Sequence, residues 1–383
     1  MNNVYITKIS AFLPNDPVGN DEMEDILGRV GGVKSRAKNV VLRSNGIKSR
    51  HYVLDPKSRK PLFTNASMTA AAVRQLEEGM FSLDDVGCLV CGTTTPDYHM
   101  PNHALMTQGE LGMHACEAVA TSGICLSGIT AMKYAYMAVA SGEHSYAVST
   151  GSEISSMVLR AEMFASEPVS EEMEKLEKRP ELAFGKDFLR WMLSDGAGAV
   201  LLRNAPNPEG ISLKIEWIDI LSYAGEMPTC MVSGALGDTE GSYRPWREFE
   251  PSAWLESSMF AVEQDVKLLN ENIVRYTVEK PLETIMRKRQ LKADDIDYFL
   301  PHYSSEFFRD KMAQGLERIG FTVSDEKWFT NLTRKGNTGS ASIYIILEEL
   351  FHSGKLRPKE KILCFIPESG RFSTGFMLLE VVG

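Results

Sequence analysis

Two stretches of this chain match each other about 210 residues apart, and that offset constrains the fold more than any single motif. Leu83-Asp84-Asp85-Val86-Gly87-Cys88-Leu89-Val90 pairs with Ala293-Asp294-Asp295-Ile296-Asp297-Tyr298-Phe299-Leu300, each an acidic turn entering an apolar strand. Gly123-Ile124-Cys125 is echoed by the run Thr333 to Thr338. Both lead into apolar helices that end in Ser-Gly, at Ser141-Gly142 and Ser353-Gly354. A strand follows each helix, at Tyr146 to Thr150 and at Ile362 to Ile366. Strand, helix and strand in one order, twice over, predict two copies of an α/β unit. The expected architecture is a layered α/β/α/β/α fold with halves at residues 1–205 and 206–383, meeting about a pseudo-twofold axis with buried helices between the sheets.

The repeat makes Cys125 and Asn337 equivalent positions at the starts of two central helices. It aligns His302 with Gly92, just past the end of a strand. Ligands in α/β folds gather at strand ends and helix starts, so three polar groups distant in sequence are predicted to share one pocket. The helix after Cys125, roughly Ile129 to Ala140, is apolar on nearly every face and is expected to be buried. A thiol at its first turn faces unpaired N–H groups and the positive end of the helix dipole, which favour thiolate. Taken singly, each residue has a plainer reading. Cys125 reads as a buried structural cysteine, His302 as a structural histidine behind the stiff Pro301, and Asn337 as a helix cap.

Composition removes several function classes. The chain has 383 residues, 43% hydrophobic and 24% charged, enough for two domain-sized units. A formal charge of −10 argues against broad nucleic-acid binding. No apolar run reaches the length of a membrane span, and Met1-Asn2-Asn3-Val4-Tyr5-Ile6 starts like a strand rather than a secretion signal. A cytoplasmic protein is expected. The six cysteines are too scattered for a disulfide scaffold. Cys88 and Cys91 form a CxxC inside an apparent buried strand, without the second pair a zinc site needs, so no metal is expected. From Val33 to Arg50 run six basic residues, Lys34, Arg36, Lys38, Arg43, Lys48 and Arg50, with no acid among them. They read as a solvated face or as an anchor for a phosphorylated ligand or an acidic partner.

Six segments taken in order carry a family resemblance: Asn45-Gly46-Ile47-Lys48-Ser49-Arg50-His51, Gly92-Thr93-Thr94-Thr95-Pro96-Asp97, the Cys125 loop, Ser194-Asp195-Gly196-Ala197-Gly198-Ala199, Pro301-His302 and Gly336-Asn337-Thr338. The chain resembles the thiolase-fold condensing enzymes of the β-ketoacyl-acyl carrier protein synthase III type. The resemblance implies a Cys-His-Asn triad at Cys125, His302 and Asn337, and an oxyanion hole from the backbone N–H groups of Cys125 and Gly370. It implies Claisen condensation of a Cys-bound acyl group with a malonyl- or β-ketoacyl-thioester. Coenzyme A or phosphopantetheine thioesters would serve as substrates, with no resident cofactor. Acyl carrier protein or acyl-CoA partners and a homodimer follow in the same way. Lys48, where relatives carry Arg, and Arg50 would meet a phosphate, and Arg309 and Lys311 fall where relatives dock carrier protein.

The chain also departs from the family. Ser155 to Leu193 is expanded and highly charged, Asp238 to Glu250 is an aromatic-bearing loop read as a lid, and the C-terminal glycine-rich loop is reduced to Gly370 beside Ser369 and Arg371. These differences suggest a specialised synthase, with dialkylresorcinol- or cyclohexanedione-forming ketosynthases as one comparison. The main alternative is an acyltransferase on the same fold that does not decarboxylate its donor. A papain-like protease also orders Cys, His and Asn, but here the Cys-to-His gap is too long and the local signature is absent. A non-catalytic partner subunit would normally have lost the cysteine.

Overall fold

Strand propensity and helix capping divide the chain into an extended sheet with helices on both faces and between its halves. The computed structural model describes residues 2–35, 38–77, 81–164, 189–237 and 242–383. Most of the charged insertion and the first residues of the proposed lid, Asp238 to Gly241, lie outside the described residues, as does Arg36.

Among the described residues nine strands form one sheet: β1 (Tyr5–Phe12), β2 (Cys88–Gly92), β3 (Glu117–Thr121), β4 (Tyr146–Glu153), β5 (Gly196–Arg203), β6 (Ser212–Ser222), β7 (Tyr298–Pro301), β8 (Lys361–Glu368) and β9 (Ser373–Val382). Their order across the sheet is β7-β8-β9-β6-β1-β5-β4-β2-β3. The seam between β1 and β6 is narrow, Tyr5 opposite Lys214 and Ile6 opposite Leu213. Outward from that seam both sides read alike. Two antiparallel pairings come first, then a parallel pair, β4 with β2 on one side and β8 with β7 on the other. The outermost strand, β3, has as its counterpart only a parallel bridge from Phe299 to Trp328. The mixed α/β sheet with layered helices matches the layered α/β architecture expected from the repeat.

Two helices occupy the middle layer, α3 (Leu126–Ser141) and α7 (Ser342–Phe351). Their apolar residues share one cluster with inward residues of both half-sheets, including Val4, Val90, Val200, Ile215, Ile362 and Met377. Helices α1 (Asn65–Arg74) and α2 (His103–Leu111) cover the outside of one half. Helices α4 (Val266–Val274), α5 (Lys280–Arg289) and α6 (Arg309–Arg318) cover the other. The CxxC pair does not act together: Cys88 faces the central layer and Cys91 the outer one, as alternation along a strand dictates. Among the described residues no helix is long and apolar enough to cross a membrane.

Candidate active site

The chain reaches Cys125 through a strained turn. Gly123 takes φ 149° and the β-branched Ile124 takes φ 52°, a left-handed conformation that such a residue rarely adopts. Strain of this kind persists only where surrounding packing enforces it, commonly at functional sites. It delivers Cys125 to the N-cap position of α3 in helical geometry. His302 follows β7 directly, its backbone N–H bonded to Phe365 O at 2.8 Å. Asn337 is held by its backbone N–H on Met192 O at 3.0 Å and by its carbonyl, which accepts from Ser194 N at 2.8 Å. Its side-chain Oδ1 accepts from Gly339 N at 2.9 Å. With the carbonyl end of the carboxamide occupied, the Nδ2 end is left as the donor.

Cys125, His302 and Asn337 line a single cavity of about 600 Å³. Thr94, Thr95, Glu153, Ser369 and Gln264 add polar groups, and no Lys or Arg side chain is among the lining residues described. The electrostatics differ from the thiolate expected at a helix start. The N–H of Cys125 itself does lower the thiol pKa, but burial pushes it up, and the nearby Glu368 and Glu153 carboxyls push it further. Burial likewise lowers His302 to about 4. Burial thus pushes the Cys125 thiol up and the His302 imidazole down, each toward its neutral form.

Several other expected site residues sit elsewhere. The Gly370 N–H donates to the Glu368 carboxyl rather than into the cavity, and the room a Cβ would need is taken by Ile124 and Glu368. As the structure stands, Gly370 is not a free oxyanion donor. Arg50 is fully buried, with one guanidinium nitrogen on Asn20 Oδ1 at 2.5 Å and another on Trp191 O at 3.1 Å. It is therefore a packing cation, out of reach of an incoming phosphate. Lys38, from the same basic run, is buried against Glu24 at 3.2 Å. That leaves Lys34, Arg43 and Lys48 exposed among the described members, so the run is not one continuous face. Arg309 pairs with Asp325 at 3.0 Å and stacks over Trp328, while Lys311 lies over the Phe307 ring at 4.0 Å. Neither of these two lines the cavity, and neither does Lys48.

Reading the sequence alone missed Glu153. It ends β4, is buried, and accepts from Thr94 N at 3.0 Å and from Thr95 Oγ1 at 2.7 Å. A carboxyl closing an otherwise uncharged strand was the available signal. The loop read as a lid is described after Gly241. Trp246 lines the cavity and stacks with His99 at a ring separation of 6.0 Å, so the aromatic stretch forms a wall.

Residues 286–378 match the family described as 3-oxoacyl-[acyl-carrier-protein (ACP)] synthase III C terminal. β-Ketoacyl-[acyl-carrier-protein] synthase III of Streptococcus sanguinis is 25% identical over 367 residues, 95% of each chain. The Clostridium perfringens protein of the same name is 23% identical over 381 residues, all of both chains. Along its whole length the chain is thus similar to 3-oxoacyl-[acyl-carrier-protein] synthase III proteins. Solved structures agree on the fold of this synthase III-like chain. The tetronic acid condensing enzyme AbyA1 superposes with a TM-score of 0.75 at 19% identity, over 98% of this chain and 99% of its own. OleA of Xanthomonas campestris, with bound lauric acid and lauroyl-CoA, gives 0.73 at 21% identity, over 100% and 99%.

Proposed function

We propose that the chain is an acyl-thioester condensing enzyme that carries its acyl group on Cys125. The observation that supports this most directly is that thiol, imidazole and carboxamide all line one largely apolar cavity. In the first half-reaction Cys125 Sγ attacks the thioester carbonyl while its proton passes to His302. The carbonyl oxygen becomes an oxyanion beside the Cys125 N–H, and the departing thiol takes the proton back. A neutral pair suits this sequence, because charge appears only as the transition state forms.

In the second half-reaction a malonyl- or β-ketoacyl-thioester enters. Decarboxylation of a malonyl donor releases carbon dioxide and leaves an enolate, whose oxygen accepts hydrogen bonds from His302 Nε2 and Asn337 Nδ2. The carbanion then attacks the acyl-Cys125 carbonyl, and the Cys125 sulfur leaves as a thiolate that takes a proton from water. Glu153 favours a second form of this step. A buried carboxyl in the same cavity, its pKa raised by desolvation, is suited to take an α-proton from a donor that has no carboxylate to lose.

Coenzyme A or carrier-protein thioesters are the proposed donors, and a specialised pathway rather than fatty-acid initiation is the proposed setting. A homodimer is proposed through β3, an edge strand of the sheet. The deciding experiment offers acyl-CoA and acyl-carrier-protein thioesters and follows intact mass with peptide mapping. An acyl adduct on Cys125, followed by carbon dioxide release with malonyl donors, is the expected result. An adduct elsewhere would remove the assignment, and product formation without carbon dioxide would favour the non-decarboxylating reading.

A further inference from the structure

Beyond the reacting groups, the cavity has an apolar wall whose construction is specific to one region of the chain. Leu269, Ile273 and Val274 come from α4, Val278 from the turn after it, and Phe308 and Met312 from the start of α6. The turn joining α4 to α5, Arg275–Glu279, is π-helical, and Thr277 and Val278 within it face the cavity. Such π turns are rare and occur mostly at functional sites. Two contacts press this turn onto α6. On the outer side Arg318 Nε donates to Glu279 Oε1 at 2.7 Å. On the inner side Gly315 of α6 has no room for a side chain, because a Cβ there would collide with Val274 Cγ1. Val274 and Val278 therefore stand between the α6 backbone and the cavity, and their position sets how much apolar volume remains.

The proposed chemistry already requires an acyl pocket beside Cys125; we infer that Gly315 sets the size of this one, and so the chain length it admits, through Val274. The inference rests on the acyl-thioester reading of Cys125 and deepens it by naming the substrate class. A saturated chain of about eight to sixteen carbons fits this cavity far better than acetyl does. At interior packing density each methylene occupies roughly 25–30 Å³, and the cavity holds about 600 Å³ bordered by aliphatic and aromatic side chains. An acetyl group would leave most of that apolar surface uncovered. Gly315 is a specificity-determining position that touches no substrate. A methyl group there must displace Val274, whose stiff χ1 leaves few ways to yield except toward the cavity.

The test uses dodecanoyl-CoA bearing a terminal diazirine, with acetyl-, butyryl- and dodecanoyl-CoA as loading donors. Photolabel on α4, the π turn or the start of α6 is the expected result, together with faster Cys125 loading by dodecanoyl than by acetyl donors. Gly315→Ala should lower dodecanoyl loading about tenfold relative to butyryl loading, the scale of one misplaced methyl in a pocket. The double variant Gly315→Ala/Val274→Ala should restore the ratio, which a general folding defect would not allow. Labelling elsewhere, or an unchanged ratio in a folded Gly315→Ala protein, overturns the subsite. Label on these helices without any acyl-Cys125 would instead remove the condensing reading and leave the subsite standing.

Discussion

The Tyr344 hydroxyl lies 2.8 Å from the carbonyl oxygen of Gly128, to which it donates, three residues beyond Cys125. It also shares a hydrogen bond of 2.7 Å with Ser149 Oγ. This ties α7, which follows Asn337, to α3, which begins at Cys125. The two halves of the site are thus held in register by one phenol in the central layer.

Replacing Gly128 should damage that register. A Cβ at Gly128 would collide with the Ser340 carbonyl oxygen, a backbone atom that cannot swing aside. Gly128→Ala is expected to cost at least about 1–3 kcal/mol and to depress Cys125 acylation. Tyr344→Phe, which leaves Gly128 O without its side-chain donor, should cost about 1–2 kcal/mol. Denaturant melts together with acyl-loading rates check both.

Asn337→Ala separates the two half-reactions. Its amide donor is proposed to act on the enolate of the second thioester, so condensation should fall by about 10²-fold or more while self-acylation of Cys125 changes little. Rapid-quench intact mass gives the acylation rate and product analysis gives the condensation rate. Equal losses in both would remove the division of labour.

How far the sequence foretold this arrangement varies residue by residue. Cys125, Asn337 and the strand before His302 were legible because the repeat marks strand ends and helix starts, and backbone topology brings those positions to one side. Protonation state was not legible. It depends first on how far the thiol is buried, and then on which carboxyls, here Glu368 and Glu153, pack beside it from strands far away in sequence. The basic run misled for a related reason. Charge in a linear stretch says nothing of facing, and the chain folds Lys38 and Arg50 inward while Lys48 stays outside. Gly370 matched by position, but the Glu368 side chain two residues earlier captured its N–H.

Glu153→Gln should make Cys125 easier to deprotonate. The Glu153 charge is one of the causes holding the thiol pKa up, so removing it lowers that pKa. The rate of Cys125 alkylation by iodoacetamide should then rise toward its plateau at lower pH than in the wild type. An amide cannot match every donor that now meets the carboxylate, Thr94 N and Thr95 Oγ1 among them, so a stability loss of about 1–3 kcal/mol should accompany the shift. A profile that stays in place or moves upward would show that Glu153 does not act on the thiol.

Two of the buried histidines should make the fold sensitive to mild acid. His302 and His103 are each lowered to about 4 by burial, against an ordinary value of 6.5. A histidine with a depressed pKa stabilises the folded state fully above its unfolded pKa. That stability is lost as pH falls from 6.5 toward 4, because the unfolded chain takes up the proton first. Each shift corresponds to a loss on the order of 3 kcal/mol. Asp195 works in the opposite sense: burial raises it to about 7, so its contribution grows as pH falls below 7 toward its unfolded value near 3.8. The net slope mixes these effects, and the difference between wild type and variant isolates each one. The stability advantage of wild type over His103→Gln, measured by urea denaturation, should shrink steadily between pH 6.5 and 4. His302→Gln should show the same trend, and with Asp195→Asn the difference should move in favour of wild type as pH falls from 7 to 4. A histidine difference that stays flat across that window would mean that the imidazole is not held neutral by burial.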